Sequence, residues 1–339
     1  MKAIAKTRPG AGVELIESPV PRPGPGELLV KIAACGICGS DLHIYLWELN
    51  ADRLITRFPT AIGHEPAGEV VEVGPGVSGF KVGDHVALDP FGPCGQCASC
   101  QHGRFNFCLN PGRLGGSLAE YAIAPTQNAW LVPKTMDLEE AALLEPFATG
   151  VHAVEESSLK AGDSCVIEGP GPIGLCTALA ARALGVSSIV ITGLNVDAER
   201  LALARSMGFR TVCASDADWT EQVRALLPTD GADVVFDAAG FLDSTRQIIR
   251  RNGELIELGW PARDLSNQEL RALFFHGVKI IPSRVRVPST WRRSIAMVAS
   301  GAVDLKPLVT HRYDLEHGVE AFELLHRKQG VKALIVPGS

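Results

Sequence analysis

The pattern of apolar and polar positions divides the chain near residue 145. Before that point apolar residues come in short runs, such as Leu28-Leu-Val-Lys-Ile and Gly68-Glu-Val-Val-Glu-Val, with Gly and Pro between them. Such runs predict short β-strands joined by tight turns. Pro19-Val-Pro-Arg-Pro-Gly-Pro-Gly26 is a predicted loop, because it offers few backbone donors and no helical register. After residue 145 the texture changes. Cys165-Val-Ile-Glu predicts a strand, followed by a Gly-rich turn and an Ala/Leu helix running to Leu184. Further strands are predicted at 189–192, 233–237, 254–258 and 278–281, with a helix at 197–207 closed by Gly208. Strands alternating with helices imply a doubly wound parallel sheet. The C-terminal segment predicts helices around 290–300 and 315–327 and a closing strand at 332–336.

Length and charge narrow the picture. At 339 residues the chain suits two domains, since single cores stop growing at roughly 250–300 residues. A net charge of −6 gives no electrostatic footprint for nucleic acid or an anionic membrane. No apolar run reaches the ~20 residues that span a bilayer, and Met1-Lys-Ala-Ile opens directly into strand-like sequence without a signal region. The expectation is a soluble cytoplasmic protein acting on a small molecule.

Three constellations carry candidate chemistry. Gly169-Pro-Gly171-Pro172-Ile173-Gly174 is a G-x-G-x-x-G between a predicted strand and helix. In that setting the pattern binds a dinucleotide pyrophosphate at the helix N-terminus, although Gly-rich turns also open ordinary helices. The acid that usually takes the ribose 2′-hydroxyl is due at the end of the next strand, where Gly193-Leu-Asn195 stands instead. Without that carboxylate a 2′-phosphate is not repelled, so the cofactor reads as NAD(P) with a lean to NADP. Arg200 either supplies charge to the phosphate or is simply a solvated helix residue. The second constellation is Cys94-x2-Cys97-x2-Cys100-x7-Cys108, four of the nine cysteines in one Gly-rich loop. Four thiolates at this spacing close a tetrahedral shell, which is a structural zinc site. The third is dispersed: Cys38, His64-Glu65 and Glu145. A mixed sulfur, nitrogen and oxygen set with one open position suits a catalytic zinc, but spacing alone does not gather these residues.

Cys35-Gly-Ile-Cys-Gly-Ser-Asp-Leu-His43, Gly63-His-Glu, the four-cysteine lobe, Leu144-Glu-Pro-Phe, the glycine turn and Leu308-Val-Thr-His-Arg-Tyr313 together resemble the zinc-containing medium-chain dehydrogenases/reductases of the sorbitol (polyol) and L-threonine dehydrogenase branch. The resemblance implies a GroES-like, β-rich catalytic domain at 1–148, completed by 286–339, and a Rossmann domain at 149–285. It implies a catalytic zinc held by Cys38, His64 and Glu145, the last directly or through a water, with Glu65 able to tune or exchange onto the metal. Ser40 resembles the first hydroxyl of a proton relay and His43 its continuation toward solvent. The implied reaction interconverts a secondary alcohol and a ketone by hydride transfer to or from NAD(P), with one catalytic and one structural Zn2+ per chain.

Substrate choice is less defined. Arg286 resembles the polyol-branch arginine that holds substrate hydroxyls, or else it is a surface or subunit-interface residue. Ile44 stands where sorbitol dehydrogenases carry a substrate-contacting Tyr; Tyr45 lies one place later, an arrangement closer to threonine dehydrogenases. The expected substrate is a polyol or sugar alcohol, with L-threonine or another amino alcohol as the alternative. A noncatalytic nucleotide-binding scaffold or a zinc-free reductase would have lost some of Cys38, His64, Glu145 and Ser40, and all are present. The branch implies a homotetramer or homodimer, with Lys279-Ile-Ile-Pro as a sheet edge able to pair across a two-fold.

Overall fold

The computed structural model describes residues 1–49, 51–240, 242–259 and 266–338. It divides into two units, one formed by Met1–Glu145 with Asp304–Ser339, the other by Pro146–Val303. In the first unit a seven-stranded sheet runs in the order Ala129–Leu131, His85–Leu88, Glu65–Val73, Glu27–Gly36, Lys332–Ile335, Val309–Tyr313, with Tyr121–Pro125 also pairing on Glu27–Gly36. All its ladders are antiparallel except Val309–Tyr313 on Lys332–Ile335. Leu28, Val30, Val70, Val86, Leu88 and Phe322 share one apolar core. A smaller sheet places Lys2–Lys6 between Glu14–Glu17 and Thr60–Ala61.

The second unit is the expected doubly wound sheet. Six parallel strands lie in the order Arg210–Cys213, Ser188–Gly193, Ser164–Glu168, Ala232–Asp237, Ile249–Glu257, Lys279–Pro282. In sequence terms this is the 3-2-1-4-5-6 arrangement of dinucleotide-binding folds. Ser164–Glu168 and Ser188–Gly193 are buried at every position. Burial on both faces is why their sequences read as continuous apolar runs rather than alternations.

Two strands escape the hydrophobic pattern, Arg210–Cys213 and Val309–Tyr313. Both lie at sheet edges and carry polar, partly exposed residues, so no apolar run marks them. The domain boundary also moves. Residues 286–303, expected to complete the first domain, belong to the second unit. The cause is the Pro288–Ala299 helix: Trp291 is fully buried, and Thr290 Oγ1 donates to Glu155 Oε2 at 3.0 Å. Among the described residues no helix is long and apolar enough to cross a membrane.

The C-terminal strand is tied to the first unit by an ion pair. In the Glu27–Gly36 strand, Gly36 sits opposite Glu65 on one side and Leu334 on the other. Lys332 Nζ reaches Glu65 at 2.9 and 2.7 Å and donates its remaining hydrogen bond to the Ile37 carbonyl at 3.1 Å. A Cβ on Gly36 would lie 2.1 Å from Glu65 Oε2 and 3.3 Å from Lys332 Cδ, so the pair closes only over a glycine. Both side chains are almost wholly buried. Burial alone would push the Lys332 ammonium down, yet Glu65, together with Cys38 and Glu145, raises it above the ordinary lysine range. Removing one partner of such a pair strands the other charge. Lys332→Met is therefore expected to lower unfolding free energy by about 3–5 kcal/mol in urea denaturation, and adding Glu65→Leu to recover most of it. A loss below about 1 kcal/mol for Lys332→Met contradicts this role.

Candidate functional site

The loop that ends the Glu27–Gly36 strand delivers Cys38 as the N-cap of the Gly39–Leu46 helix. Asp41, three residues on, accepts from the Cys38 backbone N–H through Oδ2 at 3.0 Å, closing a capping box. Its other oxygen, Oδ1, lies 3.1 Å from His64 Nδ1. A carboxylate only accepts, so Nδ1 carries the proton and Nε2 is the nitrogen that could ligate a metal. Asp41 is 1% exposed and thus fixes two ligand-bearing segments from one buried position.

Cys38 Sγ, a His64 ring nitrogen and a Glu65 oxygen all lie within 4.8 Å of one another. One thiolate, one imidazole and one carboxylate at that separation fit a tetrahedral zinc, whose bonds run roughly 2.0–2.3 Å. Electrostatics point the same way. Burial pushes the His64 imidazolium down, but the Asp41 carboxylate and Cys38 outweigh it and hold the ring well above its ordinary range. Glu145 opens the Leu144–Glu156 helix, 7% exposed; it lies outside the compact trio, though its charge is felt by Lys332. Ser40 Oγ is 3.5 Å from His64 Nε2. His43 follows one helical turn later, its Nδ1 3.8 Å from Glu48.

The four cysteines of the lobe converge as their spacing predicts, with their sulfurs within 4.8 Å of one another. The lobe is built from the Phe91–Gly92 and Gly112–Arg113 strands and the short Ala98–Gln101 helix. Backbone N–H groups of Leu109 and Cys100 draw the Cys97 thiol down to about 6, and Leu109 N donates to its sulfur at 3.4 Å. Burial pushes Cys100 up to about 12. Backbone amides thus stabilise one thiolate, and a bound cation would supply what the buried one lacks.

In the second unit each glycine of the turn has its own geometric reason. Gly169 has φ +104°, and a Cβ there would meet Ala239 Cβ at 3.0 Å. Gly171, the N-cap of the Pro172–Ala183 helix, has open space where a Cβ would stand. A Cβ on Gly174 would lie 2.0 Å from the Gly169 carbonyl oxygen. Turn, open approach and close packing are the three roles a pyrophosphate cradle demands. Pro172 occupies the first helical position, where its missing N–H costs nothing, and the Ile173 carbonyl accepts from Thr177 Oγ1 at 2.8 Å. Gly193 ends the Ser188–Gly193 strand, and Asn195 is exposed in the turn beyond it. Arg200 is drawn inward, 3.9 Å from Asp197, with its side chain 14% exposed.

Two residues singled out in the sequence for substrate choice have packing partners. Arg286 is buried, donates to Thr149 Oγ1 at 2.9 Å and stands over the Trp291 ring at 5.8 Å, which corrects the alternative of a surface arginine. Tyr45 stacks on Phe322 with ring centroids 5.4 Å apart, so its half-buried ring packs against the core. Sequence reasoning missed Asp41 and Lys332. The signals were an acid three residues after an N-cap and a lysine opening a strand otherwise composed of Ala, Leu and Ile.

Residues 24–134 match the alcohol dehydrogenase GroES-like domain family and residues 172–300 the zinc-binding dehydrogenase family. The chain is 33% identical to a sorbitol dehydrogenase of Halalkalibacterium halodurans over 99% of both chains. It is 37% identical to an L-threonine 3-dehydrogenase of Pyrococcus horikoshii, covering 96% of this chain and 95% of that one. A zinc-binding dehydrogenase structure from Sinorhizobium meliloti, bound to NADP, superposes with a TM-score of 0.86 at 31% identity, covering 99% of each chain. With the metal-ligating clusters and the glycine turn in place, the chain belongs to the zinc-dependent, NAD(P)-linked medium-chain alcohol dehydrogenases, in the branch that holds the sorbitol and threonine dehydrogenases.

Proposed function

We propose that the chain oxidises a secondary alcohol of polyol or sugar-alcohol type to a ketone, and runs the reverse reduction, with a catalytic zinc held by Cys38 and His64. The convergence of Cys38, His64 and Glu65 within 4.8 Å carries this reading. Glu145, buried nearby but outside the trio, would complete the site, directly or through a water. Cys94, Cys97, Cys100 and Cys108 hold a second, structural zinc. A bound zinc supplies Lewis acidity to the substrate hydroxyl, and a bound nicotinamide supplies the hydride acceptor. The chain's own residues do the rest. Asp41 orients His64, Lys332 holds Glu65, and Ser40 Oγ takes the hydroxyl proton and passes it toward His43. The 37% identity to an L-threonine 3-dehydrogenase, together with Ile44 and the Tyr45 ring stacked on Phe322, favours an amino-alcohol substrate as the second reading.

The protein acts in the cytoplasm as a dimer or a dimer of dimers. Lys279–Pro282 is an edge strand, Ile280 on it is exposed, and Phe274 and Phe275 beside it are each 77% exposed. An edge unpaired among the described residues and flanked by exposed aromatics is a surface that a second copy covers through a two-fold. Ile280→Lys is expected to shift the protein toward monomer in light scattering at micromolar concentration, and a wild-type monomer contradicts the assembly.

Metal analysis is expected to find two zincs per chain. Cys38→Ser should retain one, keep dinucleotide binding within about threefold, and lose turnover by at least roughly 10³-fold on polyols and on L-threonine alike. Two zincs retained with near-normal turnover overturns the assignment of Cys38. Wild-type turnover of L-threonine above every polyol selects the second reading.

A further inference from the structure

The helix that carries Ser40 and His43 ends in a strained turn. Trp47, its C-cap, has φ +64°, the left-handed region that a tryptophan enters only at a cost. Neighbouring side chains hold it there. Lys6, wholly buried, stands over the Trp47 ring at 5.1 Å, and the Phe58 ring packs on it with centroids 5.9 Å apart. Lys6 Nζ donates to the carbonyls of Gly12 at 2.7 Å and Tyr45 at 3.2 Å, and to that of Gly10. Gly12 N reaches the same Tyr45 carbonyl at 2.8 Å. A buried ammonium is tolerated when its hydrogens are all bonded, and these bonds clamp the last turn of the helix.

The left-handed turn brings Glu48 back toward His43. In a continued helix, residues five apart would point about 140° away from each other around the axis. Here Glu48 N donates to the His43 carbonyl at 2.9 Å, and Glu48 Oε2 stands 3.8 Å from His43 Nδ1. Nδ1 is enclosed by protein and has no hydrogen-bond partner among the described residues, so the Glu48 carboxylate is the acceptor within reach of it. At 3.8 Å the contact is an ion-pair distance rather than a hydrogen bond. The Glu48 side chain is 58% exposed and has room to rotate inward, and hydrogen bonds of acid–base groups commonly tighten only when the reactants are bound.

Building on the relay of Ser40 and His43 proposed above, we infer that Glu48 is a positioning residue for His43, held in place by the Lys6-clamped turn at Trp47. By accepting from Nδ1–H it fixes the tautomer whose Nε2 carries the lone pair. Nε2 then takes the proton that Ser40 passes on: an N–H bond forms there, the ring becomes an imidazolium, and the Glu48 carboxylate balances its charge. Loss of the Nε2 proton to water resets the ring.

Two measurements on the zinc-loaded protein test this. The ring 15N shifts of His43, identified by the signal missing from His43→Gln, report the tautomer without turnover. Wild type is expected to hold the Nδ1–H form, and Glu48→Leu to go over mainly to Nε2–H. The second is single-turnover hydride transfer to NAD(P) from sorbitol or L-threonine, whichever the wild type turns over faster. Glu48→Leu should slow it by roughly tenfold or more, with the alcohol KM and dinucleotide affinity within about threefold of wild type. A Glu48→Leu protein that keeps the wild-type tautomer overturns the inference whatever its rate. So does one that transfers hydride within about twofold of wild type. If His43→Gln still slows transfer in those cases, the relay stands without Glu48; if His43→Gln transfers hydride as wild type does, the relay reading falls as well.

Discussion

The buried Lys332–Glu65 ion pair is the constraint on which the cluster of Cys38, His64 and Glu65 depends. It joins two strands that never touch directly, passing over Gly36 of the strand between them. A lysine buried this deeply is costly unless its counter-charge is close and its remaining protons are bonded. Here Glu65 and the Ile37 carbonyl meet those conditions, and Ile37 is the residue before Cys38. The same three hydrogen bonds therefore seat the C-terminal strand, hold the Glu65 carboxylate and fix the approach of the loop that carries Cys38.

Asp41 complements this from the other side. One oxygen holds the Cys38 backbone and the other holds His64, so the two residues share a single buried anchor. Glu65, Cys38 and Glu145 raise the Lys332 ammonium, and Asp41 and Cys38 raise the His64 imidazolium, so negative charge is concentrated around this cluster. Such a site is preorganised for a cation, because its ligands are already oriented by groups that do not themselves ligate.

Much of this was legible in the sequence, for physical reasons that differ between parts. The four-cysteine lobe closes locally, within one loop, so spacing alone fixed its chemistry. The glycine turn lies inside one strand–helix unit, and each glycine has the contact its motif role demands. The trio of Cys38, His64 and Glu65 meets only because the Glu27–Gly36 and Glu65–Val73 strands pair, a long-range register that periodicity does not encode; resemblance supplied it instead. Lys332 was invisible for a stronger version of the same reason, since its partner is 267 positions away. Arg200 reads from sequence either as a phosphate ligand or as a solvated helix residue, because sequence shows its charge but not its 3.9 Å approach to Asp197. The edge strands Arg210–Cys213 and Val309–Tyr313 lacked an apolar signal because edges expose polar residues.

The most direct test of the account is isotopic. A secondary alcohol deuterated at the carbinol carbon, incubated with NADP and the zinc-loaded protein, should deliver deuterium to C4 of the nicotinamide with no wash-out to solvent. Removing the readily chelated metal while the four-cysteine zinc remains should stop the transfer, and restoring zinc should return it. Label lost to water, or transfer that continues undiminished after that metal is removed, would contradict zinc-dependent hydride transfer.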